Sequence, residues 1–510
     1  MIWKLLFQAA ALLLKVTFFL LRQLVRLCLT ILRGLLQLLI SSASTTHGSA
    51  RWATLWELFR SGSLRASGII VGKIWGRFIR FQQEGFVLLF APTRAGKGYS
   101  VVVPNLLDRE GSIIVTDIKG ENHAITARAR AQRGPVWTLN VLDPSRSNSF
   151  NPLDMVQIGT MHESDDAKQL ADLMIIPEQH GSDHWDEKAR ALLGTLILFV
   201  CHKYRDVAEL RTLAQVRALA VQDWAGLAET LKEATELGPV SLREEAVAVL
   251  AMEKSDEYKS VKSTMDKATS LWSIDKPAGL VSSRSDFRFE QLNEAIASIY
   301  VMVPEEKLRI YRGFLRVMIG CAIVAMTRAK HAKPKVKTLL IVDEAAALGR
   351  LQPIEDGVGY LATYMSMVMV WQDLDQLERT YPKARSMIAN AGCKVAFNVA
   401  DIQTARMLAD SIGHTTILSR SAGQSQANVD MVKHQMSEGV SETGRYLVDP
   451  SEIMRLPAKR SMILMPRQVR HPILATKVVY WKERRWKGKW DIWRESVQVP
   501  VSAPRPAGAA

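Results

Sequence analysis

"FVLLFAPTRAGKGYSVVVPNLL", residues 86–107, decides how the rest of the chain is read. Residues 85–90 form an apolar strand, a loop of small residues follows, and a further apolar run begins after Lys97. A phosphate loop has the pattern GxxxxGK[ST] between a strand and a helix. Here Ala91 takes the first glycine position, Gly96 and Lys97 match, and Gly98 stands where a Ser or Thr hydroxyl meets magnesium. The parts that physics requires are kept: Ala95, Gly96 and Gly98 let backbone N–H groups approach phosphates, the helix start adds its positive end, and Lys97 adds charge. Thr93, Arg94, Ala95, Gly96, Lys97, Gly98, Tyr99 and Ser100 are therefore the candidate nucleotide-binding residues. Thr93 and Ser100 carry the nearest hydroxyls, neither at the usual offset, and for the loop alone chance similarity is an open alternative.

A second stretch, "KTLLIVDEAAALG" at residues 337–349, is an apolar strand closed by Asp343 and Glu344. An acidic pair at the end of a buried strand is costly without a metal or a cation nearby. RecA-like ATPases present a magnesium-ligating Asp and a water-activating Glu in this way. Loop and acidic pair together predict nucleoside triphosphate hydrolysis with ATP and Mg2+; the bland alternative for the pair is an acidic helix start. Three more apolar strands end in polar residues: Asp117 and Lys119, Gln372, and Asn398. Ligands of open α/β sheets sit at such strand ends. Gln372 is read as sensing the γ-phosphate or orienting the attacking water, against a helix-starting role.

The 510 residues are 48% hydrophobic, and 66 Lys+Arg against 51 Asp+Glu leave a net charge of +15. That balance favours nucleic acid, anionic lipid or an acidic protein as partner. Four scattered cysteines without a CxxC pair argue against a disulfide framework or a zinc site and for a reducing, cytosolic setting. From 2 to 40 the chain is mostly apolar, and its charges are Lys4, Lys15, Arg22, Arg26 and Arg33. On a helix these lie within a sector of about 40°. Two geometries stay open: two short helices, 5–21 and 27–40, each under the ~20 residues of a usual span, or one long helix lying on lipid or packing its basic stripe against a partner. A cleaved signal would have a short core, and a soluble buried helix would hide five cations.

Asp343 lies 246 positions after Lys97, which implies an insertion. Stretches such as "WDEKARALLGTLILFVCHKY" and "WAGLAETLKEATEL" make it helical. The fold expected is α/β, a RecA-like P-loop nucleotide-binding domain with an inserted all-α domain and an N-terminal membrane-associated helical segment. Its bounds are 1–44 for the membrane segment, 45–84 for a linker and the start of the nucleotide-binding domain, 85–160 and 281–495 for its two parts, 161–280 for the all-α domain and 496–510 for a disordered tail. In "YWKERRWKGKWDIWRE", residues 480–495, Trp alternates with Lys and Arg. This suits stacking on single-stranded bases, or a segment whose Trp residues cover the sheet.

In order along the chain, "APTRAGKG", "PNLL", "TDIKGEN", "FNPLD", "IYVMVPEEKLRIYRGFLRVMIG", "LLIVDEAAALGRL", "WQDLDQLERTYP" and "GRYLVDPSEIMRLP" resemble the coupling ATPases of type IV secretion and conjugation, the TraG/TraD family that includes the VirD-type proteins. The similarity covers most of residues 85–480. Gly98 agrees with the family's Gly-Lys-Gly, while Ala91, the run Ala345, Ala346 and Ala347, and the lack of an acidic tail depart from its pattern. The resemblance implies a homo-hexameric motor of the bacterial inner membrane with its ATPase domain in the cytoplasm, using ATP and Mg2+. Implied partners are single-stranded DNA, relaxase and relaxosome proteins, membrane lipid and inner-membrane components of the type IV secretion channel. Implied roles are Lys97 on the β/γ-phosphates, Asp343 on magnesium through water, Glu344 as the base and Gln372 as the γ-phosphate sensor. An arginine from the neighbouring subunit is implied too, with Arg316 chosen and Arg312 and Arg350 as alternatives. Two other functions compete: a nucleotide-bound membrane scaffold that recruits the relaxosome without motor activity, and a chromosome-segregating translocase of the FtsK kind, whose winged-helix tail is not evident.

Overall fold

The computed structural model describes residues 45–177, 183–251, 256–329, 334–424 and 436–493. The expected membrane segment, 1–44, and tail, 496–510, lie outside the described residues. The chain divides into two compact units, one of residues 52–408 with 450–510, the other of residues 1–51 with 409–449.

In the first unit the strands are β1 (Ile69–Ile74), β2 (Arg77–Phe81), β3 (Phe86–Phe90), β4 (Ile113–Ile118), β5 (Val136–Asn140), β6 (Ser298–Val303), β7 (Leu339–Val342), β8 (Ser366–Trp371) and β9 (Cys393–Ala396). After β10 (His414–Gln424) and β11 (Met436–Tyr446) of the other unit come β12 (Arg460–Met465) and β13 (Val469–Thr476). All but β10 and β11 join one 11-stranded sheet in the order β2-β1-β13-β12-β9-β3-β8-β7-β4-β6-β5. From β9 to β5 the neighbours pair in parallel. From β12 to β2 they pair antiparallel, and β12 joins β9 antiparallel. Parallel strands are covered on both faces, so they read as continuous apolar runs; every residue of β3, β6 and β7 is buried. The antiparallel flank is built from hairpins. At the β1–β2 turn Trp75 and Gly76 have φ of 47° and 82°, the paired positive values that match a two-residue turn to strand twist.

The "PNLL" stretch has a mechanical task. Asn105 Oδ1 accepts from Ile70 N at 2.8 Å, while its Nδ2 donates to Ile70 O at 2.8 Å and to Val101 O at 2.7 Å. One buried amide thus ties the helix after the phosphate loop to β1. The helix Arg312–Arg328 is buried from Gly313 to Met326, and over that stretch it is apolar on every side but for Arg316, as suits a helix inside a core. Gly320 lets Leu173 pack against its backbone, since a Cβ there would lie 2.3 Å from Leu173 Cδ2.

Between β5 and β6 the described residues hold helices and turns, including Glu163–Met174, Asp183–Lys203, Leu213–Ala220, Trp224–Glu236, Val240–Leu250 and Asp256–Thr269. The motif "FNPLD" closes their base: Asn151 Nδ2 donates to Arg211 O at 2.7 Å, and Asp154 takes Arg211 at 3.0 Å and the Ser285 hydroxyl at 2.6 Å. In the second unit β10 and β11 form an antiparallel ladder from His414↔Tyr446 to Gln424↔Met436, and the His414 and Tyr446 rings stack at 4.2 Å. No helix among the described residues is long and apolar enough to cross a membrane.

Candidate functional site

Because β9, β3, β8, β7 and β4 run parallel, their carboxyl ends open on one edge of the sheet. β8 lies between the phosphate-loop strand β3 and the acidic strand β7, which brings Gln372 at its end beside Glu344. The three side chains meet: Lys97 Nζ is 2.5 Å from Glu344 Oε2, and Gln372 Nε2 donates to Glu344 Oε1 at 2.7 Å. Both carboxylate oxygens are therefore held, and the pair is only partly withdrawn from solvent. Glu344 itself has φ 62° and ψ 66°, a left-handed conformation that costs a non-glycine residue about 1–2 kcal/mol. Strain of this kind persists where surrounding bonds over-determine it; besides the two side-chain contacts, the Thr116 hydroxyl donates to Asp343 O at 3.0 Å.

Asp343 stands next to this group. Burial pushes its carboxyl up and the Glu344 charge adds to that, while the Lys97 ammonium and the Asn122 amide pull it down. Its Oδ1 is buried with no hydrogen-bond partner, an expensive state for a carboxylate oxygen. A hydrated Mg2+ fits that vacancy in bonding. Magnesium is usually held by one or two carboxylates plus substrate phosphates, and among the described residues no cluster of three or more His, Cys, Asp or Glu would hold a metal unaided. Asp117, one strand over, accepts from the N–H groups of Asn122 at 3.2 Å and His123 at 2.8 Å, so it caps the helix Glu121–Ala131. Burial above all, with the Asp343 charge adding, pushes it up to about 7. Lys119 turns aside to Glu305 at 2.7 Å.

The loop keeps a path for phosphates. Arg94 and Gly96 have φ of 61° and 90°, and the first turn after Lys97, Gly98–Val102, is wide before the α-helix Val103–Asp108 begins. A Cβ on Gly96 would lie 2.1 Å from Tyr99 Cε1. Gly96→Ala is therefore expected to weaken ATP binding about tenfold, combining left-handed strain with displacement of the Tyr99 ring; calorimetric titration checks it. Of the two hydroxyls proposed to replace the missing one, Thr93 is exposed, whereas Ser100 is buried with its Oγ unpartnered.

Lys477 escaped the sequence reading. Its Nζ, nearly enclosed, donates to Ala95 O and to Asn398 Oδ1, each at 2.7 Å, and lies 4.6 Å over the Phe397 ring. It clamps the loop to the end of β9, and burial lowers its pKa. A lone lysine in the otherwise apolar "ILATKVVY" was the available signal.

Arg316, chosen from the sequence to reach a neighbouring subunit, sits elsewhere. It is 2% exposed. Its guanidinium donates to the carbonyls of Leu173, Ile175 and Arg350 of its own chain, and burial lowers its pKa to about 10. Arg350 reaches the surface and pairs with Glu355 at 2.8 Å; Arg312 Nε is buried without a partner. Arg312 also lines a cleft of about 1390 Å³ that includes Lys276, Lys307, Arg309 and the exposed Ile310.

The family model described as type IV secretory system conjugative DNA transfer matches residues 51–505. The conjugal transfer protein TraG of Escherichia coli is 30% identical, over 81% of this chain and 71% of that protein. The VirD4 protein of Rhizobium radiobacter is 29% identical, over 92% of this chain and 68% of that protein. Among solved structures, the bacterial conjugative coupling protein TrwBdeltaN70 superposes with a TM-score of 0.63 at 15% identity, covering 84% of this chain and 92% of that one. The plasmid coupling protein TrwB in complex with the ATP analogue ADPNP gives 0.62 at 16% identity, covering 84% and 93%. The structural likeness shows a shared fold, and with a family match across nearly all of its length the chain belongs to the type IV secretory system conjugative DNA transfer family.

Proposed function

We propose that this chain is an ATP-hydrolysing coupling protein, which uses the nucleotide to move relaxase-bound single-stranded DNA, or protein substrates, from a relaxosome into a type IV secretion channel. The observation that carries the reading is the Lys97–Glu344–Gln372 contact beside the buried, unpartnered Oδ1 of Asp343. The family description and a solved TrwB complex with ADP and Mg2+ support it.

In this reading the loop N–H groups and Lys97 hold the phosphates. Entry of the γ-phosphate draws Lys97 from Glu344, and the freed carboxylate accepts a proton from the attacking water. Gln372, bonded to the other carboxylate oxygen, keeps the base aimed and reports on the γ-phosphate. Asp343 would hold magnesium through water, and the ion, when bound, neutralises charge on the phosphates. Assembly as a homo-hexamer would bring an arginine to the neighbouring site; Arg350, at the surface, is the best placed of the three considered. Residues 1–44 would attach the motor to the inner membrane, leaving the nucleotide site in the cytoplasm. The basic cleft at Lys276, Lys307 and Arg309 is where a strand's phosphates would be drawn.

The test is ATP turnover by the full chain in lipid nanodiscs at low salt, with and without single-stranded DNA. Turnover that rises with DNA and falls off with added salt is expected. Bound nucleotide without turnover under every DNA condition would replace the motor with the scaffold reading.

A further inference from the structure

Past the end of β13 the chain returns along the phosphate loop, and its aromatic residues gather there. Lys477 fixes the approach through Ala95 O and Asn398. Four positions on, the Trp481 ring meets the Tyr99 ring edge-on, with centroids 5.2 Å apart and planes at 61°. Tyr99 is two residues past Lys97, and its ring covers Gly96 so closely that an added Cβ would lie 2.1 Å from it and would have to displace it. Behind Trp481 the buried Tyr480 crosses it at 4.9 Å and 87°, and Tyr480 rests in turn on Trp490 at 5.4 Å. The indole is thus braced from behind, yet it is 47% exposed. Of the tryptophans that follow β13, Trp486 is buried and Trp490 and Trp493 are half-buried, so the exposed one in this segment is the one beside the loop.

A nucleoside triphosphate whose phosphates lie on the loop carries a flat, apolar-faced base a few ångströms farther on. An exposed indole braced against the loop's own tyrosine suits such a base, because aromatic faces bind purines by stacking with little regard to the base's edge. We propose that Tyr99 and Trp481 form the seat for the nucleotide's base, a subsite that takes purines by stacking and discriminates weakly between adenine and guanine. The proposal rests on the nucleotide-binding reading above and adds to it a second point of attachment, contributed by the chain's carboxyl-terminal segment.

The experiment compares the full chain with Trp481→Ala and Trp481→Phe, measuring affinity for ATP, for GTP and for inorganic tripolyphosphate, which has the phosphates and no base. Trp481→Ala is expected to weaken ATP and GTP about tenfold, Trp481→Phe to recover most of that, and tripolyphosphate to bind all three proteins alike. ATP affinity unchanged in Trp481→Ala would overturn the proposal. So would equal weakening of ATP and tripolyphosphate, which would mean that the indole only props the loop. A wild-type chain that binds tripolyphosphate and ATP equally well overturns the base seat while leaving the phosphate site; one that binds neither overturns the nucleotide reading itself, and the seat with it.

Discussion

Replacing Glu344 by Gln is expected to lower ATP turnover by about 10²–10⁴-fold, the share that a positioned base commonly supplies, while ATP binds as tightly as before or more tightly. The carboxylate has two duties that the substitution separates. It pairs with Lys97 at 2.5 Å, so it competes with phosphates for the lysine's charge. A glutamine keeps the size and the bond with Gln372 but releases the lysine. Affinity therefore should not fall, although the proton acceptor is gone. Single-turnover hydrolysis together with equilibrium binding checks this: turnover retained within about threefold of wild type would remove Glu344 as the base, and a parallel loss of affinity would make its role structural.

Trp486→Ala is expected to destabilise the larger unit by about 3–5 kcal/mol, as other Trp or Phe truncations in cores do, without changing affinity for single-stranded DNA once the protein is folded. Trp486 is 2% exposed. It stacks on Phe78 at 5.2 Å with planes 11° apart, and Arg485 lies 5.3 Å over the same Phe78 ring. Its cluster joins Ile70 of β1, Val103 and Leu107 of the helix after the phosphate loop, and Ile125. Of the two sequence readings for this aromatic segment, covering the fold is what Trp486 does. Chemical denaturation measures the loss, and titration with a fluorescent oligonucleotide at a denaturant-free concentration measures binding. Lost DNA affinity with stability intact would restore the stacking role.

The phosphate loop and the acidic strand were legible because each is a local pattern: an uninterrupted apolar run that ends in residues a buried strand tolerates only for chemistry. Which strand separates them was not, since the place of β8 between β3 and β7 is a matter of long-range pairing that no local spacing records. Gln372 was legible as a strand-end residue, but its bond to Glu344 needed that topology. Arg316 misled because a helix written "RGFLRVMIG" shows its spacing and not what packs around it; the carbonyls it meets come from residues 173, 175 and 350. Lys477 was missed because a single lysine carries no periodic signal. The β10–β11 hairpin was missed as well, its strands being rich in Ser, Gly, Thr and Glu rather than alternating apolar and polar.

Arg316 has a further meaning in its corrected place. It is a rivet driven through three plates: the helix Arg312–Arg328 that carries it, the end of the helix Glu163–Met174 at Leu173 and Ile175, and the turn at Arg350, a few residues past Glu344. Charged, enclosed and bonded to carbonyls on both sides, it gives the turn no freedom to slide alone. A shift of that turn is therefore shared with the end of the helix Glu163–Met174, so one buried cation makes two segments about 180 residues apart in sequence move as a single piece.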